Sequence, residues 1–162
     1  MKCPACGTFN IDGSDECDSC RASLTLPDEP KKGMERRILE GTVAQIAPRQ
    51  ALTIAAGQKA SDALESMRKN QVGCLLVVEG GRLTGVVSES SILDKLKDPL
   101  KLAGASVADV MRSDGTCLRE EDGVADAFHQ MAVSGHRHLA VRLSDGRLAV
   151  VSSRDLLRYL CE

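Results

Sequence analysis

The sequence predicts a mixed α/β (α+β) fold: two tandem β-α-β-β-α units forming a pseudo-two-fold module, preceded by a small cysteine-rich head. Three observations predict it. The chain resembles itself at a shift of about 64 residues. Each copy switches between helical and strand apolar spacing in the same order. Four of the seven cysteines crowd into the first twenty residues.

The self-match is specific. Val43-Ala44 falls on Val107-Ala108, Asp62-Ala63 on Asp126-Ala127, Met67 on Met131, and Val86-Val87-Ser88 on Val150-Val151-Ser152. Gly81-Arg82-Leu83 and Gly146-Arg147-Leu148 agree one residue out of step, so one loop has gained a residue and the next strand has lost one. Each unit opens with a short strand, near Leu52 to Ile54 and near Thr116 to Leu118. Ala60, Ala63, Leu64 and Met67 then fall at i, i+3, i+4 and i+7, one face of a helix, as do Val124, Ala127, Phe128 and Met131. A buried-type strand follows, Leu75 to Val78 or Leu139 to Val141. Gly80-Gly81 or Asp145-Gly146 makes the turn, and a second strand runs through Val86-Val87 or Val150-Val151. A short helix closes the unit, with Ile92, Leu93 and Leu96, or Leu156, Leu157 and Leu160, expected inward.

Composition narrows the function classes. The chain has 162 residues with 43% apolar and 27% charged, a globular balance. Phe9, Phe128 and Tyr159 are its only aromatics, too few for a base-stacking single-strand platform. A net charge of −2 offers no general attraction to phosphate backbones or anionic lipid, so nucleic acid is an improbable partner. No apolar run is long enough to span a bilayer and no leader pattern is visible, so no membrane role is expected. An odd cysteine count with scattered thiols suits a reducing compartment, and a cytoplasmic protein is expected.

The order of elements, their pairing in tandem, and the strand-to-helix endings Gly85-Val86-Val87-Ser88 and Val150-Val151-Ser152-Ser153-Arg154-Asp155 resemble a pair of CBS (cystathionine β-synthase) domains. The resemblance covers residues 40–162 and divides them into one copy at 41–99 and another at 100–162. Residues 24–40 read as a linker, with Pro27, Pro30, Lys31, Lys32 and Gly33 exposed and a short helix from Met34 to Leu39.

Residues 1–23 carry Cys3-x-x-Cys6 and Cys17-x-x-Cys20 ten residues apart. Two-residue spacing aims both thiolates of one turn at one ion, and two such turns complete a tetrahedral site. The segment resembles a zinc ribbon. Its largest apolar side chains are Phe9 and Ile11, so metal has to hold it together, and structural zinc contributes on the order of 10 kcal/mol. Iron in a rubredoxin-like site has the same ligands. Arg21 in place of a glycine after Cys20, and a single aromatic, favour zinc. Asp12, Asp15, Glu16 and Asp18 against Lys2 and Arg21 make the segment acidic, which points to a structural role or protein docking rather than nucleic acid.

By resemblance, CBS pairs bind adenosine-type ligands (AMP, ADP, ATP or S-adenosylmethionine) between the copies, a hydroxyl residue and an Asp three later contacting the ribose. The second copy keeps both, Ser152 and Asp155, while the first has Ser88 and Ser91. Arg137 and His138 at a strand start, with Arg154, offer charge for phosphate, where the first copy has Gly73 and Cys74. Leu118 and Ala140 are expected to form an aliphatic slot for adenine. Ser152-x-x-Asp155 is equally a helix capping box, and both readings hold together. A catalytic or metal role for His136 and His138 lacks a carboxylate partner in the sequence.

No catalytic constellation or Gly-rich phosphate loop is present, so no enzyme is expected. The leading expectation is a regulatory sensor, a zinc-ribbon head on a CBS pair that binds an adenosine-type ligand and signals to a protein partner. CBS pairs commonly dimerise through their helical faces, so the resemblance implies a homodimer. The alternatives are a scaffold whose CBS pair only dimerises, and a small iron electron carrier.

Overall fold

A computed structural model describes residues 1–3, 5–24, 32–113 and 116–162, in two units, Met1–Glu35 and Arg36–Glu162. Residues 25–31 of the linker stretch, including Pro27, Pro30 and Lys31, lie outside the described residues.

The first unit is two turns facing each other. Lys2 bridges Phe9 and Glu16 bridges Ser23 in antiparallel fashion. Cys3, Cys17 and Leu24 are its buried apolar residues. Phe9, 81% exposed, and Ile11, 78%, contribute nothing to that interior. The interior is therefore two cysteines and a leucine, with Ala22 against them.

The second unit begins within helix α1 (Gly33–Glu40), which covers the expected 34–39. A 3₁₀ turn (Val43–Ile46) and strands β1 (Arg49–Gln50) and β2 (Thr53–Ile54) lead to α2 (Ala60–Asn70), β3 (Cys74–Glu79), β4 (Arg82–Ser88) and α3 (Glu89–Lys95). A second 3₁₀ turn (Pro99–Ala103) precedes α4 (Val107–Val110), β5 (Cys117–Arg119), α5 (Val124–Ser134), β6 (His138–Arg142), β7 (Leu148–Ser152) and α6 (Ser153–Cys161). One sheet runs β2-β3-β4, the other β1-β7-β6-β5. In each copy a short entry strand lies parallel to the first long strand, which pairs antiparallel with the second.

The one-residue offset in the repeat has a structural cause. Between Val77 and Val78 the β3–β4 register shifts, with Val77 opposite Gly85 and Val78 opposite Leu83, so Thr84 bulges. The β6–β7 ladder has no shift from His138↔Ser152 to Arg142↔Leu148.

The two copies exchange their entry segments. Val43 and Ile46 pack with Leu118, Met131, Val151 and Leu156 in the second copy's core. Val107 and Val110 pack with Ala63, Met67, Val87 and Ile92 in the first. The backbone repeats this crossing: Val43 N–H donates to Asp122 and Ala44 N–H to Glu120, both at 2.8 Å, while Val107 N–H donates to Gln58 at 2.8 Å and Ala108 N–H to Ala56 at 2.9 Å. Arg49 of β1 lies opposite Val150, and Arg112 bridges Val86.

Three expected inward residues point outward. Leu93 is 74% exposed, Leu157 54% and Phe128 49%. The apolar residues turned to the core by the closing helices are spaced four apart, Ile92 with the partly buried Leu96 just past α3, and Leu156 with Leu160, and the leucine that follows Ile92 or Leu156 turns about 100° off that stripe. Phe128 sits at the edge of the stripe formed by Val124, Ala127 and Met131. Among the described residues no helix is long and apolar enough to cross a membrane.

Candidate functional site: a four-thiol cluster and a cationic cleft

The four sulfur atoms of Cys3, Cys6, Cys17 and Cys20 lie within 4.8 Å of one another, as a group that could hold a metal ion. The two turns have the same backbone. Gly7 N–H donates to Cys3 O at 2.9 Å, and Arg21 N–H to Cys17 O at 2.8 Å. Gly7 has φ 78° and Arg21 φ 54°, so the second turn adopts the left-handed conformation without a glycine. The missing glycine therefore does not set this site apart from an iron knuckle. Hydrogen bonds from Thr8 bring the Cys6 thiol down to about 6. The Ala22 N–H favours the Cys20 thiolate, but Cys6, burial and the other sulfur atoms outweigh it and push Cys20 up to about 12. Four thiolates this close need a cation to coexist, and they fit tetrahedral coordination. Asn10, which the sequence reading passed over, is buried; its Nδ2 donates to Cys17 Sγ at 3.5 Å and its Oδ1 accepts from Asp18 N–H at 3.0 Å.

The second site is a cleft of about 550 Å³ between the two copies. Ser152, Arg154, Asp155, Arg137 and His138 all line it. Leu118 and Ala140 do not. Leu118 belongs to the second copy's core, and Ala140, although it shares a face of the sheet with His138 and Val150, is fully buried. The apolar surface of the cleft comes instead from Ala51, Leu52, Met67, Val72 and Val150. Ala51, Leu52, Met67 and Val72 belong to the first copy, a contribution that the assignment of the ligand contacts to the second copy overlooked.

Asp155 is the third residue of α6 and closes the capping box. Its Oδ2 accepts from Ser152 N–H at 3.2 Å and from Ser152 Oγ at 2.5 Å, while its own N–H donates to Ser152 Oγ at 3.2 Å. Its Oδ1 accepts from Arg49 Nη2 at 3.2 Å, and the carboxylate is only 13% exposed. Burial raises the Asp155 carboxyl, but the two Ser152 hydrogen bonds, Arg49 and Arg158 outweigh it and hold it below the usual carboxylate value. Burial pulls the half-buried His138 below its ordinary value, against the pull of Asp155 and Glu89. Gly73 makes room for that ring, since a Cβ there would lie 3.1 Å from His138 Nε2.

Charge distinguishes the two halves. Arg49, Arg68, Arg137, Arg154 and Arg158 line the cleft against two carboxylates, Glu89 and Asp155. At the matching face of the first copy, Ser90, Ser91 and Asp94 stand where the second has Arg154, Asp155 and Arg158. Ser91 is fully buried, its Oγ donating to Ser88 O at 3.0 Å and accepting from Ser88 N–H at 2.9 Å. Asp94 pairs with Arg112 at 2.6 Å. The opening beside Ser88, Arg112 and His136 is only about 20 Å³.

Comparison with known proteins agrees with this architecture. A family model described as CBS domain matches residues 43–98 and 107–162. An uncharacterized 17.7 kDa protein of Acidianus ambivalens is 29% identical over 122 residues, 74% of this chain and 73% of that one. A protein with CBS domains from Burkholderia ambifaria superimposes with a TM-score of 0.63 at 27% identity, over 72% of this chain and 91% of that one. CBSX2, solved in complex with AMP, superimposes with a TM-score of 0.58 at 24% identity, over 72% of this chain and 93% of that one.

Proposed function

The chain belongs to the CBS-domain family, and from that premise we propose that it is a non-enzymatic regulatory protein whose CBS pair binds an adenosine-type ligand. AMP, ADP, ATP and S-adenosylmethionine are the ligand classes considered. The carrying observation is the inter-copy cleft, in which a capped carboxylate, Asp155, stands among five arginines in a protein of net charge −2. Vicinal ribose hydroxyls need a carboxylate acceptor, and a phosphate needs concentrated cationic donors. A related fold binds AMP in CBSX2.

Ser152, Asp155, Arg154, Arg137 and His138 serve as the ligand contacts, and Leu52, Val72 and Val150 as the apolar wall for the base. The four thiolates hold structural zinc, and the ribbon of residues 1–23 docks a partner or steadies the chain through the linker of residues 24–40. The CBS copies occupy 41–99 and 100–162. The protein acts in the cytoplasm as a homodimer. A ligand changes such an assembly only through its different affinity for two arrangements.

A second reading, a scaffold in which the pair only dimerises, draws on Leu93 and Leu157. They occupy equivalent positions in the two copies and are both exposed. Native mass spectrometry of the protein purified without added ligand separates the readings. A dimer carrying one metal and an adenosine-type mass supports the sensor. A dimer with metal that binds no nucleotide on titration supports the scaffold, and an iron mass with strong visible absorbance supports an electron carrier.

A further inference from the structure

We propose that Arg49 is the residue that makes this cleft select a phosphorylated ligand, by leaving Asp155 for the phosphate when the ligand enters. The proposal rests on the nucleotide reading of the same cleft and concerns which chemical class it takes.

Asp155 has few acceptor sites to offer a ligand. A carboxylate offers about four lone-pair positions, two on each oxygen. In Asp155 both positions of Oδ2 are taken by the N–H and hydroxyl of Ser152. These bonds belong to the cap of α6 and remain whatever the cleft holds. Only Oδ1 is left for a ribose, and Arg49 Nη2 already donates to it at 3.2 Å. For Oδ1 to accept both vicinal hydroxyls, the guanidinium has to leave.

Leaving is sterically simple. The Arg49 backbone is fixed by the β1–β7 pairing opposite Val150, while its side chain is 67% exposed. The guanidinium can therefore turn without disturbing the strand. Where it goes depends on the ligand. A phosphate accepts it with charge-assisted hydrogen bonds, in a cleft that Arg137 and Arg154 also line. A nucleoside without phosphate gives it nothing in exchange for the carboxylate. A sulfonium ligand brings a further positive charge among five arginines. Arg49 thus penalises adenosine and S-adenosylmethionine and favours nucleotides through one exchange.

Calorimetric titration of adenosine, ADP and S-adenosylmethionine into the wild-type protein, Arg49→Ala and Arg49→Lys tests this. Wild type is expected to bind ADP more tightly than the other two. Arg49→Ala is expected to weaken ADP about tenfold and to tighten adenosine, because Oδ1 is then open. Arg49→Lys should recover part of the ADP affinity. Opposite signs for ADP and adenosine are beyond any general damage to the fold. Equal losses for both ligands, or no change in either, would overturn the proposal. Wild type binding adenosine as tightly as ADP would overturn it while leaving the adenosine reading intact. Wild type binding none of the three would overturn that reading and the proposal together.

Discussion

Replacing Gly85 with alanine puts a methyl group against the backbone that joins the two CBS copies. An ideal Cβ at Gly85 lies 2.4 Å from Arg112 O and 3.2 Å from Met111 Sδ. The sulfur can yield, but the carbonyl cannot without pulling Arg112 away from Val86. The two bonds of that bridge, Val86 N–H to Arg112 O and Arg112 N–H to Val86 O, are both 2.9 Å. Losing them costs about 1 kcal/mol each, and the strain of overpacking adds about 1–3 kcal/mol. A total of about 3–5 kcal/mol lowers the melting temperature of a unit this size by about 10–20 °C. Gly85 has no left-handed φ, so the effect is steric and not conformational. Scanning calorimetry of wild type and Gly85→Ala measures it directly. A shift smaller than about 2 °C would refute the reasoning, because the bridge would then contribute no appreciable stability.

Asp155→Ala should weaken adenosine-type ligands at least about tenfold and, through loss of the cap, cost about 1 kcal/mol of stability. The Asp155 carboxyl is held low in the folded chain, so its stabilisation is complete above the unfolded carboxylate value and fades as pH falls through the lower folded one. Denaturation at neutral pH and at about pH 3 should therefore show the wild-type advantage shrinking in acid. Arg137→Ala should weaken ADP more than adenosine in the same titration, and equal losses would move Arg137 off the phosphate. Stripping metal with a chelator should abolish hydrogen-exchange protection around Cys3 to Leu24 while the melting of Arg36–Glu162 stays unchanged, because the first unit has its own sulfur-lined interior. Leu93→Glu with Leu157→Glu should yield a monomer by analytical ultracentrifugation with little change in melting temperature, since both side chains are already exposed.

Much of this was legible in the residues. The repeat pointed to the paired units, and its one-residue slip was read as a longer loop and a shorter strand, which the structure resolves as a bulge at Thr84. The spacing of the four cysteines brought their sulfur atoms together on paper as in the structure. The capping pair Ser152 and Asp155 was legible because its spacing of three residues ahead of an apolar run is a local pattern. Arg68 and Arg158 were passed over as exposed charges on the helices of their own copies, and Arg49 and Leu52 were not legible because the segment that carries them pairs, through β1, with the second copy's β7. Periodicity describes one element at a time and carries no trace of such an exchange. The misplaced Leu118 and Ala140 have the same origin: with both walls sought in one copy, its buried strands were the only apolar residues available. Leu93, Leu157 and Phe128 were read inward because a run of adjacent leucines does not reveal which one lies on the narrow buried stripe.

The crossing of entry segments gives the duplication an unusual division of labour. What is duplicated is a length of about 60 residues, yet neither length closes its own interior. Val43 and Ile46 stopper the far half and Val107 and Val110 the near one, each acting as the lid of the other's vessel. An insertion that lengthened the approach to either copy would therefore loosen the opposite copy first. A substitution near Val107 registers as a defect in the first half, and one near Val43 as a defect in the second, where Asp155 begins the last helix. The inheritance of a site and the upkeep of that site thus fall on different copies.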